Sequence, residues 1–348
     1  MLQASLPPSP HAGGVGYQVD LLARALANRG HAVTAFVVDG MPEDVPYRCI
    51  EVPAGRGRMR RLLSVGWSFA RLDLSRYDVV HAHGDDWLFG RRRRVRTFYG
   101  SALMEARTAT RPLRRAAQLC YYGLERVSSF NPLSVAISEA TRRYLPRVRA
   151  SIPCAVDGAA FFPGGERTAE PSILFVAGTL GGRKRGSLLL QAFTEVRKAH
   201  PDARLTIVSS DRVAGPGITC LSRRAAPQLG ALYRSHWLLC STSSYEGFGV
   251  PYVEALASGL PVVTTPNEGA REVLQEGALG VISLPKDLAR DIVALLRDSD
   301  RRAQLAARGL EAAGAYSVEV VADRYERLYA MAMGAGRVGA IGDKRSSG

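Results

Sequence analysis

Apolar positions along the chain follow two spacings. Short apolar runs that read as buried strands recur at residues 2–6, 32–38, 77–83, 95–98, 134–138, 172–176, 204–209, 237–240 and 261–265. Stretches with helical spacing lie between them. Residues 16–28 follow Val15 with Val19, Leu22 and Leu26 on one face, and Gly30 is a stop. Residues 139–143 begin a helix and 187–198 form another. Pro251 suits the first turn of a fourth, which Gly259 can end. Residues 317–333 read as a last amphipathic helix. Strand, loop, helix, strand is the order of a doubly wound α/β domain. The run at 2–6 is short for a first strand, so the start of the chain is expected slightly upstream. Residues 162–171 are a linker by composition. The pattern therefore predicts a first domain over 1–162 and a second over 163–316. The last helix follows at 317–333. A tail at 334–348, rich in Gly, Ser and charge, is expected to be disordered.

Composition agrees with two domains. The chain has 348 residues, 46% hydrophobic and 22% charged, enough for two sizeable cores. Cys49, Cys120, Cys154, Cys220 and Cys240 are scattered without a paired motif, which fits a reducing compartment and argues against structural zinc. No apolar run approaches the ~18 residues of a membrane span. No signal peptide is evident either, so a cytoplasmic location is expected.

Charge changes the picture. Residues 1–160 hold 23 arginines and no lysine against 13 acids, so +10 of the net +14 lies there. Such a half suits an anionic partner, either a phospholipid surface, nucleic acid or a phosphorylated acceptor. The absence of lysine also fits a GC-rich genome. Residues 56–72 combine Arg58, Arg60 and Arg61 with Leu62, Leu63, Val65, Trp67 and Phe69. They read either as a helix lying on an anionic membrane face or as a surface helix packed on the sheet, with the packed helix favoured. Arg91 to Arg94 read as a solvated turn or a hold on an anionic acceptor. No nucleic-acid partner is expected, because there is no recognition-helix motif and the arginine runs lack interleaved aromatics. His81 and His83 share one side of a strand, but no third ligand stands near, so no metal is expected. Asp298-Ser-Asp300 falls between two helical stretches and reads as a turn.

The densest chemistry lies at 245–265. Glu246 sits in a glycine-containing loop and Glu254 on the helix after it. This loop follows a strand, where doubly wound domains hold ligands. The amides of Gly247, Phe248 and Gly249 suit an anion at the helix start. A carboxylate beside phosphate is repelled, so Glu246 needs another reason to be there. Sugar hydroxyls supply it, since a carboxylate accepts two of them side by side. Upstream, the run Gly178-Thr-Leu-Gly-Gly-Arg-Lys-Arg-Gly186 places glycines and cations at a strand-to-helix turn, which suits a diphosphate. Gly13 and Gly14 form a second glycine turn before a helix, where a plain tight turn reads equally well.

Set in EGFGVPYVEALASGLPVV, Glu246 and Glu254 closely resemble the donor-site motif of family-4 retaining glycosyltransferases of the GT-B fold. The resemblance runs from Gly13 to about Met333. It implies an α/β fold of two Rossmann-like doubly wound domains facing across a cleft. The first would hold the acceptor, and the second a nucleotide-activated sugar. It also implies sugar transfer to an acceptor hydroxyl with retention of anomeric configuration, the departing phosphate taking the acceptor proton. On that resemblance Arg183, Lys184 and Glu246 form the catalytic set. Gly14, Thr179, Gly247, Phe248, Gly249, Glu254 and Tyr99 bind donor, Glu254 through the ribose hydroxyls. Gly13 and His83 lie on the acceptor side. Residues 209–211 resemble the loop under the base. No metal or other cofactor is implied. The implied partners are a UDP- or GDP-sugar and a glycan, lipid-linked or small-molecule acceptor, with peripheral contact to an anionic membrane.

The sequence departs from the family at three places. Thr179 stands where many members have Arg, and Ala155 where Gly is usual. Tyr99 stands where members usually carry His, and a phenol titrates near ~10 rather than ~6.5. Two expectations follow for Tyr99. Either its hydroxyl bonds a donor-sugar hydroxyl and turnover survives, or its ring fills the pocket and the chain binds sugar nucleotides without turnover.

Overall fold

The computed structural model describes residues 1–334 except 4, 8, 10–12, 54–57, 85–93 and 110, and it leaves the side chains of 58–63 undescribed. The arginines at 91–93 and the tail at 335–348 thus lie outside the described residues. In chain order the elements begin with α1 (Gly14–Asn28), β1 (Thr34–Val37), β2 (Arg48–Glu51), α2 (Arg58–Ala70), β3 (Val80–Ala82) and β4 (Arg94–Phe98). Next come α3 (Ala102–Thr108), α4 (Pro112–Ser128), β5 (Ser134–Ala136), α5 (Glu139–Arg143) and β6 (Ala150–Ser151). The chain continues through β7 (Ser172–Val176), α6 (Gly186–Ala199), β8 (Arg204–Val208), β9 (Ile218–Leu221), α7 (Ala226–Ser235) and β10 (Leu238–Ser241). It ends with α8 (Val250–Ala257), β11 (Val262–Thr264), α9 (Glu268–Val273), β12 (Val281–Ile282), α10 (Leu288–Arg297), α11 (Ser299–Ala313) and α12 (Val318–Met333).

The chain divides into two compact units. Unit 1 comprises Met1–Ser101, Cys120–Pro153 and Glu319–Gly348, and unit 2 comprises Ala102–Leu119 and Cys154–Val318.

In unit 1 the strands pair in parallel, β1 with β2, and β3 through β6 in sequence. Of the expected strand at 2–6, residue 4 lies outside the described residues, and Leu2 and Ser5 pair through isolated bridges. Leu2 bridges both Phe36 and Ala82, and Ser5 bridges Asp39. The segment does sit between β1 and β3, with Leu2 bonded to His81 and His83 and Gln3 to Phe36. It is short, and Pro7 cannot extend the ladder because it has no N–H. Helix α1 starts at Gly14, two residues before the expected start, with Gly13 as its extended cap. On α2, Val65 and Phe69 are buried against Leu2, Phe36, Val52, Val80 and Ala82, while Trp67 faces outward. From 64 onward this helix therefore spends its apolar side on the core. The last helix belongs to this unit. Arg29 pairs with Asp323 (2.5 Å) and Glu326 (2.7 Å), and Tyr325 and Tyr329 reach Thr97 and His81.

Unit 2 is built on one parallel sheet in the order β12-β11-β10-β7-β8-β9. Ile173, Phe175, Leu205, Ile207, Leu238, Cys240 and Val263 form its inner layer. Leu189, Phe193 and Val196 of α6 pack on them, as do Leu288, Ile292, Leu295 and Leu296 of α10. Burying one such side chain is worth about 1.5–3 kcal/mol. The chain winds outward from β7 in one direction and then from β10 in the other. The order thus reverses between β7 and β10, which is where such a sheet opens a crevice at its carboxyl edge. Asp298 is a helix cap, accepting from the amide of Arg301 at 2.8 Å.

Candidate active site

Both loops at this switch point carry the residues singled out by sequence. The first joins β7 to α6. Its single helical turn, Gly182–Lys184, leads into Arg185, which is left-handed at φ 47°, ψ 49°. An L-residue held there costs roughly 1–2 kcal/mol. The conformation is held by its side chain, which donates to the Thr242 carbonyl (2.7 Å) and to Thr265 Oγ1 (2.6 Å). Thr242 returns a bond to the Lys184 carbonyl at 2.7 Å. Arg185 thereby ties the turn to the ends of β10 and β11, so that Arg183 and Lys184 face a fixed partner. Thr179 is exposed at the start of the same loop. The loop at 209–211 closes on it, with the Leu180 amide donating to Asp211 at 2.6 Å and Ser210 Oγ to the Gly178 carbonyl at 2.7 Å.

The second loop joins β10 to α8 and carries Glu246, which is buried. Arg183 reaches its Oε2 at 2.9 Å and Lys184 its Oε1 at 2.5 Å. Arg183 also donates to the Tyr245 carbonyl (2.9 Å) and lies 3.3 Å from Glu105. Burial pushes the Glu246 carboxyl up, but Lys184 and Arg183 outweigh it and hold the group below its ordinary range. Burial likewise pulls Arg183 down, and Glu246 and Glu105 more than restore its charge. The charged partners of Glu246 are thus the two loop cations, with Ser243 as a further hydrogen-bond partner, a counter-ion role beyond the hydroxyl contact inferred from sequence.

The rest of this loop is constrained by packing. Phe248 is buried edge-on to Tyr316, with centroids 5.7 Å apart. Gly249 caps α8 at φ 102°, and a Cβ there would lie 2.3 Å from the Tyr252 ring. Only glycine fits that position. Glu254, on α8, is buried, and Tyr233 of α7 donates to its Oε2 at 2.7 Å. Burial pushes its carboxyl up to about 7, against the pull of that hydrogen bond.

The remaining predicted residues lie in unit 1. Gly13 and Gly14 open α1, and no described residue lies within 4 Å of where a Cβ on either would stand. His83 follows β3 and is 1% exposed. Its Nδ1 lies 3.0 Å from the Tyr99 hydroxyl, and its Nε2 has no hydrogen-bond partner among the described residues. Burial, followed by the Met1 amine, holds His83 well below 6.5, so the ring is neutral.

Sequence reasoning missed Arg185, Glu105 and Tyr233. Arg185 carried a signal, because it is a third cation in the same turn, directly before Gly186. The other two depend on partners far away in the chain.

Glycine amides, two fixed cations and two buried carboxylates thus meet at the switch point of a parallel sheet, a set of groups whose chemistry suits a phosphorylated, polyhydroxylated ligand. The comparisons with known proteins give that class its family. Residues 12–158 match the family model "Glycosyltransferase Family 4" and residues 160–312 match "Glycosyl transferases group 1". The chain belongs to the family-4 glycosyltransferases of the GT-B fold. The phosphatidyl-myo-inositol mannosyltransferase of Mycobacterium tuberculosis is 26% identical, over 93% of this chain and 94% of its own. The D-inositol 3-phosphate glycosyltransferase of Corynebacterium kroppenstedtii is 25% identical, over 88% and 79%. Among solved structures, sucrose-phosphate synthase of Thermosynechococcus elongatus superposes with a TM-score of 0.78 at 22% identity, covering 96% of each chain. HepE of Anabaena, in complex with UDP-glucose, gives 0.71 at 16% identity, covering 95% of this chain and 100% of its own. These structures share the fold.

Proposed function

We propose that the chain transfers a sugar from a UDP- or GDP-sugar to an acceptor hydroxyl with retention of anomeric configuration. The observation that carries this reading is the cluster of Arg183 and Lys184 on buried Glu246 at the switch point of unit 2. Diphosphate bound at the glycine turn takes over the two cations, which stabilise the charge that grows as the sugar–phosphate bond breaks. Glu246, released from them, accepts hydroxyls of the donor sugar. Gly247, Phe248 and Gly249 support the sugar, Thr179 the phosphates, and Glu254 the ribose. The departing phosphate takes the acceptor proton, a route that needs no metal. The UDP-glucose named for HepE supports a nucleotide-sugar donor.

Acceptor recognition is assigned to unit 1, with Gly13 and His83 in it. The excess of arginine in residues 1–160 supports a phosphorylated or lipid-linked acceptor. So do the inositol phosphate and phosphatidylinositol in the relatives' names. Contact with an anionic membrane face is part of the same reading. Tyr99, engaged with His83, carries the alternative of a sugar-nucleotide binder without turnover. Intact Arg183, Lys184, Glu246 and Glu254 favour turnover.

Thermal denaturation with UDP, GDP, ADP and TDP tests the donor. A bound nucleotide at a hundred times its Kd adds about 2.7 kcal/mol of stability. NMR of the product's anomeric proton tests retention, and an inverted product would overturn it.

A further inference from the structure

The carboxylate of Glu254 has one hydrogen-bond partner among the described residues, and it comes from a different element. Tyr233 lies on α7, is fully buried, and donates to Oε2 at 2.7 Å. Its ring is fixed edge-on by Phe161, with centroids 5.4 Å apart. Helix α7 is itself seated closely on the chain after β6. A Cβ on Gly230 would lie 1.9 Å from the Ala160 carbonyl, and Arg234 donates to that carbonyl at 3.0 Å. Tyr233 is therefore held from both sides, and its hydroxyl fixes one carboxylate oxygen.

We propose that Tyr233 is a positioning residue for the nucleotide: it occupies Oε2 of Glu254 and turns Oε1 toward the ribose diol. This rests on the reading of unit 2 as a nucleotide-sugar site. A carboxylate free at both oxygens has several orientations to lose on binding, whereas one held by a buried phenol is already set. The hydroxyl also acts on charge. A diol donates to an ionised carboxylate at both of its hydroxyls, and a protonated one accepts less. Burial opposes ionisation of Glu254, and the phenol's hydrogen bond favours it. Burial and then Glu254 raise the phenol well above 10, so it stays a donor throughout the working range. Tyr233 from α7 is the titratable group that acts on Glu254 among the described residues. Arg234, its neighbour on α7, is turned to the Ala160 carbonyl and the Phe162 ring instead.

The test compares UDP with 2′,3′-dideoxy-UDP by calorimetry from pH 6 to 9, on wild type, Tyr233→Phe and Glu254→Gln. The two ligands carry the same phosphates, so the ratio of their affinities isolates the ribose contact. In wild type this ratio should rise as pH passes up through about 7, where Glu254 loses its proton. Phenylalanine keeps the ring against Phe161 and removes only the hydroxyl. It should lower the ratio by up to about tenfold at pH 7, move its rise to higher pH, and lose less at pH 9. Glu254→Gln should flatten the profile. A Tyr233→Phe ratio equal to wild type across the range would overturn the inference and leave the nucleotide reading standing. Equal weakening of both ligands would do the same, since it marks a merely structural role. Wild type that binds neither these ligands nor GDP overturns the nucleotide reading, and the inference falls with it.

Discussion

Residue by residue, the site depends on which charges are held by which. The cations of the glycine turn would, from sequence, matter to turnover more than to folding. The structure adds a second duty, because both neutralise the buried Glu246. Removing the partners of a buried charge costs about 3–5 kcal/mol. Arg183→Ala with Lys184→Ala should therefore lower the melting temperature as well as kcat. Adding Glu246→Gln should recover part of the stability and none of the activity. With folded protein counted, kcat should remain at least ~100-fold down, on the scale of a lost electrostatic group. Normal turnover in the folded triple variant would remove these residues from the chemistry. Tyr99 is the other residue-scale question. Tyr99→Phe takes away a partner of His83, which is buried and whose other nitrogen has no partner among the described residues. Turnover should fall by up to about tenfold. Tyr99→His should retain activity, with a changed sugar preference. Wild type that binds donor but neither transfers nor hydrolyses it across a broad panel would instead establish the binding-only reading.

At the element scale, the strongly patterned pieces were legible and the marginal ones were not. The helix at 139–143 and the strand at 172–176 fall on the expected residues, as α5 and β7. Among the described residues of 2–6, Leu2 and Ser5 pair through bridges whose partners lie at β1 and β3, far along the chain, which the run's own pattern does not show. The amphipathic stretch at 56–72 follows the favoured packed reading from 64 onward, since Val65 and Phe69, one turn apart, face the core and Trp67 does not. Helix α4 presents the more open apolar face. Leu113 is 76% exposed, Val127 65% and Leu119 47%, and Arg114, Arg115 and Arg126 are exposed on the same helix. Each Arg near an anionic surface is worth about 1 kcal/mol, screened by salt. The protein should sediment with anionic vesicles at low salt, and Leu113→Ser with Val127→Ser should reduce it. Equal recovery on neutral vesicles, or insensitivity to salt, would leave a water-soluble acceptor as the better reading.

At the scale of the whole molecule, the site is a consequence of topology. Residues 178–186 and 242–249 are some 60 positions apart, and the reversal of strand order between β7 and β10 brings them together. Sequence reached the glutamates and cations because their spacing and glycine context are local. It missed Glu105 and Tyr233 because nothing near them in the chain indicates that they contact Arg183 and Glu254. The buried state of Glu246 was also beyond it, since burial depends on how α9 covers the loop. Gly269 of that helix packs so closely that a Cβ would lie 2.4 Å from the Phe248 carbonyl. The central claim is that unit 2 binds a nucleotide-sugar through these groups. Calorimetric titration of UDP-glucose and GDP-mannose into wild type and Glu254→Ala tests it most directly. The account predicts that wild type binds at least one of them together with its free nucleoside diphosphate, and that Glu254→Ala weakens both by a similar factor. Unchanged affinity for the free diphosphate in a folded Glu254→Ala protein would contradict it.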